Sequence, residues 1–225
     1  MKISWRSEAV SLLLLVAMFV AAGVTWSSAP DRIPAHWGTS GEPDRYAGKF
    51  EGLLGPPLMA LGIYILFLVL PRIDPRKENY ARFQGVYTVL KTLFVAFMAG
   101  LLGIVVLWAR GVQVDTGMAV MLMTGLLIMG IGNFLGKLRP TWFVGIKTPW
   151  TLSSEESWNK THRLGGKLFV IWGLALAIAA PFHNTLAFSA LFAGMLGLVV
   201  CLYAYSYLIW RRDPAASPAK YLKRD

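Results

Sequence analysis

The residues best suited to chemistry lie in one polar stretch between two apolar segments, Gly145–Gly166, reading GIKTPWTLSSEESWNKTHRLGG. It holds the cations Lys147, Lys160 and Arg163, the carboxylates Glu155 and Glu156, the imidazole of His162, and the indoles of Trp150 and Trp158. Hydrolysis would use Glu155 or Glu156 with His162 as base and ligand. The spacing is not that of a H-E-x-x-H site, however, and a second histidine is lacking nearby. Lys147, Arg163 and a helix amino terminus suit a phosphate or lipid headgroup. The whole run also suits a docking surface for another protein, or a purely structural amphipathic elbow.

Local rules give this stretch a shape. Pro149 biases Thr148 away from helix. Ser153, followed three residues later by Glu156, reads as a capping box, so a helix is expected to begin near Ser154. Glu155 and Glu156 complement its dipole, and Glu156 with Lys160 forms a favourably oriented i,i+4 pair. Glu155, Trp158, His162 and Phe169 fall near one stripe. The expected helix runs along the membrane interface, with Trp150 and Trp158 dipping into the headgroup zone. It then turns into the next span at Gly165-Gly166.

A second polar run, Asp31–Glu51, is punctuated by Pro34, Gly38, Gly41, Pro43 and Gly48, which mark turns rather than a helix. Its charges nearly balance, as in an ordered loop that caps the bundle or contacts a polar ligand. His36 and Trp37 are the first candidate contacts, with Glu42, Asp44 and Lys49 beside them. His36 and His183 are expected on the same side, but neither cysteine nor suitably spaced carboxylates accompany them, so no metal site is predicted. No cofactor is implied.

The chain around these loops is 56% hydrophobic and only 15% charged over 225 residues. Soluble domains carry about 25% charge. Six apolar segments, roughly 7–27, 53–70, 84–109, 117–135, 164–181 and 186–210, approach or exceed the length needed to cross a bilayer. Helices are the expected spanning form, and nothing alternates as barrel strands do. The fold class is therefore all-α: a polytopic membrane bundle of about six transmembrane helices plus a short cytoplasmic interfacial helix. It is read as one membrane domain, 1–225. A two-span unit (1–70, outer loop 28–52) precedes a four-span unit (84–225, cytoplasmic loop 136–163). The first segment exceeds a signal-peptide core in length, which favours an uncleaved span. The net charge of +10 raises the question of nucleic acid, but the basic residues flank apolar spans, so no direct nucleic-acid binding is expected. Lys and Arg concentrate at the amino terminus, in 71–83, in 136–167 and in the tail. Both termini are thus expected on the cytoplasmic side of the cell (inner or cytoplasmic) membrane. Lys91, about seven residues into its span, is expected to snorkel to the interface. Asn133 either bonds between helices or reaches the interface. The glycines of the spans suggest close bundle packing. Cys201 alone permits no intrachain disulfide.

Asn133, the run Gly145-Ile146-Lys147-Thr148-Pro149-Trp150-Thr151-Leu152 and the run from Glu156 through Trp158 to His162-Arg163 resemble the signature of the SdpI-type family of bacterial integral-membrane immunity proteins. Ile33–Trp37, Gly41–Asp44 and Lys49 resemble the extracytoplasmic domain of unknown function that often fronts that family. Lys147 stands where the family commonly has arginine, which keeps the charge but loses the bidentate fork. Thr141 stands where asparagine is frequent. The resemblance implies a non-enzymatic immunity and receptor protein. It would resist a membrane-active peptide toxin sensed from the outer face, and hold a cytoplasmic transcriptional repressor at the membrane. The implied outer contacts are His36, Trp37, Glu42, Asp44 and Lys49. The implied cytoplasmic motif is Asn133, Lys147, Thr148, Pro149, Trp150, Thr151, Glu156, Trp158, His162 and Arg163. Two rivals stay open: a small transporter or exporter, and a membrane-embedded enzyme acting on a lipid or peptide substrate. Neither a clear inverted repeat nor a nucleophile or metal constellation is evident for them.

Overall fold

Six helices are long and apolar enough to cross a bilayer. The computed structural model describes residues 5–38, 42–182 and 184–215. His183 and Gly41 therefore lie outside the described residues. The spanning helices are α1 (Trp5–Trp26), α2 (Gly55–Ile73), α3 (Gln84–Ala109), α4 (Thr116–Leu135), α6 (Glu155–Ala179) and α7 (Thr185–Arg212), with a short α5 (Pro149–Ser153) before α6. A 3-10 segment, Lys77–Phe83, leads into α3. The chain is an all-α polytopic bundle, as its apolar runs predict.

Between α1 and α2 the turn-rich loop forms a hairpin. Strand β1 (Ile33–Trp37) pairs antiparallel with β2 (Pro43–Ala47), and irregular register around His36 bends it. A π-turn, Phe50–Leu54, then feeds α2, whose Pro56 and Pro57 occupy first-turn positions where no backbone donor is needed. Ile33 and Leu53 are fully buried with Ala22, Ala29 and Val105, so the hairpin is seated on the ends of α1 and α3.

Helix α3 is the central post, packed against α1, α2 and α4, while α4 packs on α6 and α6 on α7. The α4–α6 seam is made of glycine. A Cβ on Gly132 would stand 2.8 Å from the Gly166 carbonyl, and one on Gly173 would stand 2.5 Å from the Gly125 carbonyl. Lipid tails are as apolar as leucine, so helices in a bilayer gain most from this kind of backbone-close fit.

Three expectations are corrected. Lys91 does not snorkel. It is fully buried and ion-pairs with Glu8 of α1, which also accepts from the Tyr64 hydroxyl of α2 at 2.8 Å and from the Ser7 hydroxyl at 3.3 Å. The ammonium also lies 5.0 Å from the centre of the Tyr64 ring. Three helices thus meet at one polar knot, and Ser11 with Thr92 adds a 2.8 Å hydroxyl bond between α1 and α3. The helix does not turn at Gly165-Gly166. Helix α6 is continuous from Glu155 to Ala179, and those glycines are buried against α4, Leu135 and Ile146. The cap is also one residue later than expected: the Ser154 hydroxyl accepts from Ser157 N–H at 3.0 Å, while Ser153 bonds back to the Pro149 and Trp150 carbonyls. Pro149 opens a short helix of its own, and that moves the frame.

Candidate functional site

The segment 136–162 is tied down from three directions at the end of the bundle where α1 begins and α7 ends. From the α2–α3 connection, the buried Asp74 carboxylate accepts from Tyr80 Oη at 2.8 Å, Trp142 N–H at 3.0 Å and Arg76 N–H at 2.7 Å. Asn79 donates to the Pro140 carbonyl at 2.8 Å, and the Arg76 guanidinium to the Leu152 carbonyl at 2.7 Å. A cavity of about 300 Å³ remains between these elements, lined in part by Arg76, Arg82, Glu78 and Glu155.

Inside the segment, His162 is the pivot. Its Nε2 accepts from Ile146 N–H at 2.9 Å, so Nδ1, 2.8 Å from the Trp158 carbonyl, carries the proton and donates. Both ring nitrogens are consumed and the ring is fully buried, stacked on Trp158 at 4.0 Å. Gly145, at φ 120°, passes directly over Nε2, where a Cβ would clash. Trp158 donates to the Leu138 carbonyl at 3.1 Å and is fully buried, not dipped into a headgroup zone as its sequence position suggested. His162 in this state has no free nitrogen for a substrate proton.

The TPWT residues are staples as well. Thr148 caps α5 through Thr151 N–H at 3.1 Å, and Thr151 Oγ1 accepts from Thr148 N–H at 2.9 Å. Helix α7 closes the third side. Thr148 Oγ1 and Ser206 Oγ lie 2.9 Å apart, Ser157 Oγ donates to the Ser206 carbonyl at 2.8 Å, and Ser154 Oγ donates to the Asp213 carboxylate. Trp150 packs on the rings of Tyr203 and Tyr207 at 4.7 and 5.0 Å. Ser154→Ala removes both an N-cap and a buried donor to a carboxylate, so it should cost about 1–3 kcal/mol. Reversible denaturant titration in mixed micelles reads that loss, and Pro149→Ala, at an exposed position, should change stability far less.

The motif therefore divides. Thr148, Thr151, Trp158 and His162 are buried and Trp150 half-buried, whereas Asn133, Lys147, Pro149, Glu156 and Arg163 are exposed. Lys147 bonds the Phe143 carbonyl at 3.2 Å and Glu156 pairs with Lys160 at 2.6 Å.

At the opposite end, the hairpin brings His36 Nδ1 to 2.6 Å from Asp44, with both side chains more than half exposed. Gly38 N–H donates to the Glu42 carbonyl at 2.9 Å and closes the loop. Trp37 turns partly into the hairpin's core cluster. Lys49 is drawn to the Trp26 carbonyl at 3.3 Å and Asp31 at 3.5 Å, which makes it a brace under the hairpin rather than a member of the His36–Asp44 pair.

Two sequence families match in the same order as these two ends. Residues 13–61, which contain the hairpin, match a domain of unknown function (DUF1648). Residues 137–209, from the stapled segment through most of α7, match the SdpI/YfhL protein family. The chain carries an SdpI/YfhL family region. It is 22% identical over 177 residues to the immunity protein SdpI of Bacillus subtilis (strain 168), covering 79% of this chain and 83% of that one. An uncharacterized protein of Archaeoglobus fulgidus is 27% identical over 60 residues, 27% of this chain and 33% of its own length. No solved structure gives a significant match. In this SdpI/YfhL region, Thr148, Thr151, Trp158 and His162 form the buried scaffold.

Several residues that hold these sites were missed in reading the sequence. Glu8 sits inside the first apolar run, where one acid in a spanning segment is itself a signal. Asp74, Ser206 and Asp213 give no signal at all, because each acts on a partner far away in sequence.

Proposed function

We propose that the protein is a membrane immunity protein, protecting the cell that carries it against a membrane-active peptide toxin. The observation that carries this reading is the length of the match to SdpI. It spans most of both chains, and separate family matches fall on the hairpin end and on the stapled end. The positive-inside rule puts the stapled end and both termini in the cytoplasm, and the hairpin outside. The hairpin then meets the toxin first, with His36 and Asp44 as polar contacts, Glu42 beside them and Trp37 and Lys49 supporting the shape. At the inner end the buried motif residues act as scaffold. Exposed Asn133, Lys147, Glu156 and Arg163 form the face that a cytoplasmic repressor would read. Toxin binding shifts the balance between two arrangements of the bundle, and differential affinity for them sets the response.

The test is survival of a toxin-sensitive bacterium expressing the full chain and challenged with purified membrane-active peptides. The expected result is a several-fold rise in the inhibitory concentration of at least one peptide. That rise should be lost in His36→Ala/Asp44→Ala at equal membrane abundance. Absence of protection across the panel overturns the immunity reading. Protection undiminished in the double variant overturns the hairpin's part in it.

The Glu8–Lys91–Tyr64 knot favours a second reading, a small transporter, since ionisable groups within spans often mark solute paths. Solute flux in proteoliposomes of the full chain, lost in the charge-free Glu8→Gln/Lys91→Met variant, would support that reading.

A further inference from the structure

Between α4 and α6 runs a groove of about 530 Å³. Its rim is cationic: Lys137 from the end of α4, and Arg163 and Lys167 from α6, all exposed. Among the described residues no carboxylate stands within ion-pair distance of any of the three. Lys137 is steadied over the Phe134 ring at 4.9 Å, and the Asn133 amide sits on the same rim. The floor is uncharged, formed by Gly132 and Gly166, where the two helices touch, and then by Val170 and Ile171.

The order of these residues matters. Arg163, Lys167 and Ile171 follow each other at i,i+4 along α6, so one stripe passes from cationic to apolar within ~12 Å of helix rise. The apolar part lies within a membrane-spanning segment, and Ile171 is 63% exposed. A soluble protein has no access to that depth. A lipid does, and basic pockets between spans are a recurrent setting for anionic headgroups.

We propose that this groove holds one anionic glycerophospholipid. Its phosphate is clamped by Lys137, Arg163 and Lys167, and an acyl chain lies along Gly132, Gly166, Val170 and Ile171. The Arg163 fork can take two phosphate oxygens at once, while the lysines act as point charges. Asn133 can bond a phosphate oxygen or a glycerol hydroxyl. The proposal does not rest on toxin protection, but a lipid held here would occupy Asn133 and Arg163, two members of the face assigned above to a repressor.

Native mass spectrometry of the delipidated full-length protein tests it, with phosphatidylglycerol or phosphatidylcholine added in detergent. The expected result is one retained phosphatidylglycerol, bound roughly tenfold or more tightly than phosphatidylcholine. Lys137→Gln/Arg163→Gln/Lys167→Gln should abolish that preference. Arg72→Gln/Arg211→Gln/Arg212→Gln, which removes the same charge from the same end, should keep it. Ile171→Trp, a change on an exposed face, should fill the groove and weaken phosphatidylglycerol binding even if the triple variant fails to fold. Equal retention of the two lipids overturns the proposal, as does full retention of phosphatidylglycerol by both groove variants. Displacement of the lipid by millimolar inorganic phosphate or glycerol phosphate would also overturn it, in favour of a free-anion site.

Discussion

Lys91→Met should destabilise the bundle by about 3–5 kcal/mol, the usual consequence of leaving one member of a buried ion pair without its partner. Glu8 is 3% exposed and Lys91 fully buried, so water cannot take the missing ammonium's place. The Tyr64 and Ser7 hydroxyls remain to the orphaned carboxylate, but neutral donors do not balance a charge in an apolar interior. The sign of the effect is diagnostic when Glu8→Gln is added to Lys91→Met. The doubly substituted site carries no net charge to compensate, and Tyr64 can still donate to the new amide oxygen. The double variant should therefore recover roughly 2 kcal/mol or more relative to the sum of the single losses. Denaturant titration in mixed micelles supplies the four corners of that cycle. Strict additivity would show that the three-helix knot is not one coupled unit.

Gly173→Leu should be the most damaging change on the α4–α6 seam. The first added atom alone would stand 2.5 Å from the Gly125 carbonyl, 2.6 Å from Met129 Cγ and 2.7 Å from Met129 N. Two of those three are backbone atoms of α4 and have no rotamer to escape into. The helices must separate, and the neighbouring Gly132–Gly166 contact opens with them. Overpacking commonly costs 1–3 kcal/mol, and here a backbone-to-backbone seam raises that to about 3 kcal/mol or more. Gly103→Leu is the matched control, since a Cβ there meets no atom within 4 Å. Comparing the two by fraction folded in micelles and by trypsin cleavage separates seam damage from a general intolerance of bulk. Equal behaviour of the two variants would sink the close-packing account.

Hydropathy carried the six-span architecture, because in a bilayer the apolar run and the helix are nearly the same object. The hairpin was legible as turns but not as strands, since pairing depends on Ile33 and Leu53 finding the bundle below them. Lys91 was misread for a definite reason. Its depth in one helix is a local property, whereas the carboxylate that holds it comes from another helix 83 residues away. At Ser153 and Ser154, two adjacent capping residues competed, and only the turn beginning at Pro149 decided between them. Trp158 and His162 do share one face, stacked on each other, whereas Glu155, read on the same stripe, is exposed. Composition alone did not say that this face meets Leu138 and Ile146 rather than lipid headgroups. The glycines at 165 and 166 look identical in sequence whether they bend a helix or admit a neighbour.

The clasp on α7 has a consequence for biogenesis. Thr148, Ser154 and Ser157 draw their tertiary partners from positions 206 and 213, close to the carboxyl end of the chain. During synthesis the stapled segment emerges well before those partners exist. Chains stalled or cleaved ahead of α7 therefore display unsatisfied hydroxyls and an uncovered Trp150, surface features that quality-control proteases act on. The last helix works as a completion seal, and the exposed face of the motif reaches its final form only on molecules in which α7 is present.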